Sequence, residues 1–361
     1  MPIVIELSDG ARPVRDNAEI SINAYQVFST NPPLVGPLSL ASQGIHHTLF
    51  DLGPLLFWLL AVPVHLDPGQ GSLWGAALLC GCALSVAAEA AWSVKAWPAA
   101  LVVGLVVADL GWQTLILDNL SWNAYFGLVF LVAGLATSWA VASGRFGWFP
   151  AAVFFLSVSA QCHLIYAVPA IAIGVGAPLI GWIEGHRPTR HRWWIASLIV
   201  GAVCWAPPVL QEIFGNPKNL SQLIASRGLR RSAGLAFGLH TLATAALPHP
   251  IWLTQFPYLI SFAGRMPAYL RSHSIVWALG ALFLMIAVAL VSGRARPQLS
   301  ALAAIAFILS IGVVFGFAEF PQDDLALSGY ISAVLWLVGM IIWVVLSWAA
   351  IELSVAAWSR W

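Results

Sequence analysis

The sequence predicts an all-α, polytopic integral membrane protein, and three observations carry that prediction. Of the 361 residues, 60% are hydrophobic and 9% are charged, a balance that suits a chain whose solvent is mostly lipid. Several apolar runs approach the roughly 20 residues that take a helix across about 30 Å of hydrocarbon. No ten-residue stretch alternates as a membrane barrel strand would, so the spans are read as helices.

In chain order, residues 1–70 form an external acidic segment with two interfacial helices. The first opens at Asp16-Asn17-Ala18-Glu19 and ends before Pro32-Pro33. At about 100° per residue Asp16, Glu19, Asn23 and Gln26 share one arc, and Ile20, Ala24, Val27 and Phe28 fill the next. The second covers Leu52 to Leu66, an apolar run too short to span and interrupted by Gly53, Pro54 and Pro63. About nine spans follow, at 71–94, 98–117, 122–142, 148–163, 165–183, 193–213, 274–293, 298–318 and 329–351. Six lie within 71–213 and three within 274–361; between them 214–273, broken by Pro217, Pro248, Pro250, Pro257 and Pro267, reads as an external loop with interfacial helices.

Orientation follows from the short loops. With the N-terminus outside, Lys95, Arg145, Arg187, Arg190, Arg192, Arg294, Arg296 and Arg360 fall on the cytoplasmic side, which places the chain in the plasma membrane with its polar segments external. An exported acidic segment with no signal peptide before it predicts a further helix ahead of Met1. The net charge of +1 and the lack of a basic tail point away from nucleic acid. Cys80, Cys82, Cys162 and Cys204 lie in apolar runs and read as small core residues. Many of the 19 tryptophans, Trp92, Trp97, Trp112, Trp122 and Trp361 among them, sit at run ends and suit interfacial belts.

Four groups of polar residues could carry chemistry. Asp16 and Glu19 read either as a capping box, satisfying the first turn's amides, or as a catalytic carboxylate pair. His46, His47 and Asp51 read as loop residues and a helix cap, or as hydrogen-bonding partners of an anionic or sugar substrate. A divalent metal is compatible with them but not indicated, and no other cofactor is read. Gln161 and His163 close an apolar run, where polar side chains must face protein or a cavity. Gln211, Glu212 and Asn219 precede Arg227, Arg230 and Arg231, external cations of the kind that a lipid-linked phosphate or plain headgroups would attract.

In this order the motifs resemble the GT-C superfamily of membrane glycosyltransferases, and more narrowly actinobacterial arabinofuranosyl- and mannosyltransferase-like proteins. The resemblance runs from Asp16 to about Ala350. It is carried by Asp16-Asn17-Ala18-Glu19 leading to Pro33-Leu34-Val35-Gly36, His47 to Gly53-Pro54-Leu55-Leu56-Phe57-Trp58, Ser121-Trp122-Asn123-Ala124-Tyr125, Gln161-Cys162-His163, Trp205-Ala206-Pro207-Pro208 to Asn219-Leu220, and Gly329-Tyr330. It implies transfer, with inversion, of a sugar from a polyprenyl-phosphate donor to a hydroxyl of a cell-envelope glycan or glycolipid. It further implies Asp16 or Glu19 as general base, Arg227, Arg230, Arg231 and His163 at the phosphate, and Gln161, Gln211, Glu212 and Asn219 at sugar hydroxyls. The expected partners are that donor, that acceptor and membrane lipids. The competing expectations are a non-catalytic scaffold of the same architecture and a lipid or glycan transporter, the latter calling for an inverted repeat.

Overall fold

A computed structural model describes residues 10–42, 45, 47–97, 104, 119–186, 191–247, 266–325 and 329–358. His46, Trp112, Trp361 and all of the expected 98–117 span except Gly104 lie outside them. The described residues form α1 (Asp16–Gln26), α2 (Leu55–Leu66), α3 (Gly71–Val94), α4 (Asn123–Ala142), α5 (Phe149–Cys162), α6 (Leu164–Ile183), α7 (Arg192–Phe214), α8 (Asn219–Ser226), α9 (Leu235–Ala246), α10 (Met266–Arg271), α11 (Ile275–Ser292), α12 (Pro297–Glu319) and α13 (Ala333–Trp358). No strand occurs among them beyond two isolated bridges, Leu38 with Phe50 and Ser232 with Pro321.

Among the described residues seven helices are long and apolar enough to cross a membrane: α3, α4, α6, α7, α11, α12 and the helix through Tyr330–Trp358 that contains α13. The expected span at 148–163 is the shortfall within the described chain. Its helix α5 has 14 residues, about 21 Å at 1.5 Å per residue, which is short of the hydrocarbon thickness.

Burial ranks these helices. In α4, 89% of the spanning window is buried, against 17% in α7 and 22% in α11, so α4 is the central helix and the other two form outer walls. Lipid gives apolar helices no reason to associate, and close backbone approach supplies the attraction. Gly134 of α4 shows it: a Cβ there would stand 2.5 Å from Leu156 Cδ2 of α5. Gly312 of α12 likewise meets Pro169 Cα of α6 at 2.5 Å.

Helix α9, within the stretch expected to be an external loop with interfacial helices, is packed against α11, α12 and α13. Its small face explains the docking, because Gly238 lies against the Val314 carbonyl where no side chain would fit. Thr241 and Thr244 return their hydroxyls to carbonyls of their own helix, at 2.8 and 3.1 Å, so the buried face carries no unmet donor.

Charge sits at the two ends of the bundle. At one end Glu352 accepts from Arg296 Nε at 3.0 Å and lies 3.6 Å from Lys95 Nζ. Tyr330 stands at the other end, and 22 residues of rise between it and Glu352 give roughly 30 Å, the thickness of a hydrocarbon core.

Candidate functional site

The end marked by Tyr330 holds a cavity of about 450 Å³, within the range of small-ligand sites. Five pieces of chain build it: α1, the turn 36–51, the start of α4, the α5–α6 junction and Tyr330.

Helix α1 is pinned to the protein by Ile20 and Ala24, both fully buried, and it packs on α2. That leaves Asp16 and Glu19 exposed and lining the cavity. The capping-box reading fails here. Asp16 is the first helical residue, the residue before it is Arg15 with φ of 51°, and no side chain caps the helix. Neither carboxylate makes an ion pair or hydrogen bond through its side chain among the described residues.

Asp51 arrives by a fold-back of its own segment. Its amide donates to the Pro37 carbonyl at 2.9 Å, its carbonyl accepts from Gly36 at 3.1 Å, and Ser39 donates to Leu49 at 2.9 Å. Gly36 permits the approach, since a Cβ there would lie 2.9 Å from Asp51 Cβ. Asp51 therefore does not cap α2, whose flanking residue is Pro54. It is 2% exposed, and Asn123 Nδ2, at the start of α4, donates to its Oδ2 at 3.1 Å and to the Cys162 carbonyl at 2.9 Å. Burial raises the Asp51 carboxyl well above the usual carboxylate range, against the opposing pull of the Leu164 amide and Asn123.

His163 separates α5 from α6 with extended backbone and caps α6. Its Nδ1 accepts from the Ile165 amide at 3.2 Å and its Nε2 lies 3.1 Å from Tyr330 Oη. Burial lowers its pKa to about 4, so the ring is neutral at pH 7 and brings no positive charge to the cavity. Trp122 completes the wall beside Tyr330, with ring centroids 4.5 Å apart.

The arrangement is acidic and has depth. Asp16 and Glu19 are exposed and mark the mouth, whereas Asp51, Asn123 and His163 are buried and form the inner wall. No lysine or arginine lines the cavity among the described residues. No group of three His, Cys, Asp or Glu side chains among those residues is placed to hold a metal.

The other residues singled out in the sequence lie elsewhere. Gln161 is buried behind the cavity, donating to the Cys204 carbonyl at 2.8 Å, with its Oε1 against Gly53. Asn219 clamps Phe50, accepting from its amide at 3.0 Å and donating to its carbonyl at 3.1 Å. Gln211 holds Asn219 in turn, accepting its amide at 3.0 Å and donating to the Pro217 carbonyl at 2.7 Å. These two residues fix the backbone that carries Asp51. Glu212 accepts from the Leu220 amide at 3.0 Å and from Ser221 at the start of α8, as suits an anion at a helix N-terminus.

Among the arginines, Arg230 makes a two-pronged bond to Asp324 at 2.6 and 2.7 Å, and Arg227 pairs with Glu319 at 2.9 Å. Arg231 is exposed, and His47 is exposed outside the cavity. So Asp16, Glu19 and His163 share one site, and the arginines do not join them. Asp51, read in the sequence as a helix cap or a substrate's hydrogen-bonding partner, joins it too. Trp122, Asn123 and Tyr330 join it without having been assigned roles; their signal in the sequence was that they stand in the motifs that carry the resemblance.

No family model, curated protein or solved structure matches this chain.

Proposed function

We propose that this protein is a membrane glycosyltransferase that binds its acceptor hydroxyl in the acid-lined cavity and takes the sugar from a polyprenyl-phosphate donor at the cavity mouth. One observation carries the proposal: Asp16, Glu19 and Asp51 line a single cavity with the His163–Tyr330 pair, at one end of a bundle of membrane-length helices. The motif series from Asp16 to Tyr330 supports it independently.

The chemistry needs few parts. Asp16 or Glu19 removes the acceptor's proton as the acceptor oxygen bonds to the anomeric carbon, and the bond from that carbon to the phosphate oxygen breaks with its electron pair left on phosphate. Phosphate leaves as a stable anion, so a second acid is not required. The carboxylates of Asp16 and Glu19, with no cation among the described lining residues, repel a phosphate, so the donor's phosphate stays outside the cavity. Of the three loop arginines, Arg231 is the one without an ion pair among the described residues, and it is the phosphate candidate that survives. The external face of a plasma membrane, with a cell-envelope glycan or glycolipid as acceptor, belongs to the same proposal.

The test uses membranes carrying the full chain and a radiolabelled polyprenyl-phosphate sugar, mannose and arabinofuranose each in turn. Asp16→Asn or Glu19→Gln is expected to lower transfer by about 10²- to 10⁴-fold, the usual worth of a positioned base. Full transfer by both variants sinks the mechanism. The cation-free cavity favours a second reading, a non-catalytic partner that holds a glycan; stoichiometric sugar binding without turnover by the wild type would establish it.

A further inference from the structure

We propose that the cavity is a subsite for an uncharged, hydroxyl-rich ring, and that Tyr330 is the donor that orients this ring against the carboxylates. The inference rests on the glycosyl-transfer reading and names which part of the reaction occupies the cavity.

The hydrogen-bond directions are fixed from behind. The Ile165 amide can only donate, so His163 Nδ1 is the acceptor of that bond at 3.2 Å. A neutral ring then carries its proton on Nε2, which donates to Tyr330 Oη at 3.1 Å. The phenol has received one hydrogen bond and must send its own proton elsewhere. No acceptor for it exists among the described residues, and Tyr330 lines the cavity. Tyr330 is half-buried at the cavity wall, so its unused proton is directed to whatever acceptor the cavity holds.

The opposite wall has the complementary need. The ionised carboxylates of Asp16 and Glu19 at the mouth accept but do not donate. A sugar hydroxyl does both: it donates to a carboxylate and accepts from Tyr330 through the same oxygen. A phosphodiester oxygen only accepts, and would add negative charge beside Asp16 and Glu19. The Trp122–Tyr330 pair gives the ring an aromatic face to lie on, while Gln211, Glu212 and Asn219 are committed to protein partners and Gln161 lies outside the cavity lining. Sugar recognition therefore passes to Tyr330 and the acids.

The experiment is ligand-observed saturation-transfer NMR on the purified full chain in detergent. The probes are methyl α-mannopyranoside, methyl α-arabinofuranoside and mannose 1-phosphate. At least one methyl glycoside is expected to bind, and more tightly than the phosphate ester. Tyr330→Phe should weaken it roughly 3- to 10-fold, the worth of one neutral hydrogen bond. Replacement of Tyr330 by 3-fluorotyrosine keeps the shape, strengthens the donor and should tighten binding, which decides the matter even if the phenylalanine variant misfolds. Equal binding by the wild type and both variants, tighter binding of mannose 1-phosphate, or no glycoside binding at all would each overturn the proposal. Transfer activity is read separately. Glycoside binding lost in Tyr330→Phe without wild-type transfer removes the enzyme reading alone, and transfer with Tyr330-independent binding removes this inference alone.

Discussion

The cavity and the arginine loop both concentrate charge at the same end of the bundle, and they treat it in opposite ways. In the loop, Arg230 is 13% exposed and its partner Asp324 is 3% exposed, with two bonds closing the pair. In the cavity, Asp16, Glu19 and Asp51 face a common space with no cation among its described lining residues. Charge that is cancelled in place holds the fold together. Charge left without a counterion costs stability, and the cost is explained when a ligand supplies what is missing. The difference assigns architecture to the loop and function to the cavity.

The largest expected effect on the fold tests the loop. Arg230→Ala removes the two-pronged bond from the buried Asp324 and should destabilise by about 3–5 kcal/mol, read as a large drop in thermal midpoint in detergent. Arg227 is the built-in contrast. Its side chain is 67% exposed and that of Glu319 is 56% exposed, so Arg227→Ala should cost no more than about 1 kcal/mol. Equal losses would mean that burial does not decide the worth of these pairs.

A middle-sized effect connects the two regions. Asn219 starts α8 yet grips Phe50, so Asn219→Ala removes two bonds to partly buried backbone and should cost about 1–3 kcal/mol. The telling readout is the pattern in transfer kinetics: a displaced Asp51 lowers kcat and glycoside affinity together, whereas a merely softened α8 would leave both unchanged at a temperature where the protein is folded.

Much of the fold was legible in the sequence because lipid demands long apolar runs, and seven expected spans correspond to α3, α4, α6, α7, α11, α12 and the helix through Tyr330–Trp358. Helix α5 misled because an apolar run of 16 residues looks the same whether it crosses or stops short. Helix α9 was read as a short interfacial helix, but its packing partners were not legible, because the small face that docks it on α11, α12 and α13 makes no apolar run of its own. At the site, Asp16, Glu19 and His163 were visible as polar residues at the ends of apolar runs. Asp51 was discounted as a cap, since no local pattern announces the fold-back through Gly36 or the reach of Asn123 from 72 positions away. Arg227 and Arg230 misled for the converse reason. Their partners Glu319 and Asp324 lie about 90 residues downstream, and sequence shows a charge without showing what cancels it.

The smallest expected change is opposite in sign to the rest and tests whether Asp51 is under strain. Burial raises its folded pKa, while the unfolded value stays near 3.9. Between those two values the folded protein keeps a proton that the unfolded chain has released, so stability falls as pH rises through that window and the loss is complete above the folded pKa. Asp51→Asn has no proton to lose there. The amide gives up one acceptor oxygen, shared between Asn123 and Leu164, but that penalty does not change with pH and appears only as an offset. His163 titrates in both proteins and cancels from their difference. The thermal midpoint of Asp51→Asn minus that of the wild type should therefore climb as pH rises above about 4 and level off above the folded pKa. A difference that stays constant across that range would show that the cavity does not strain its buried acid, and the contrast between cancelled and uncancelled charge would then lose its cavity half.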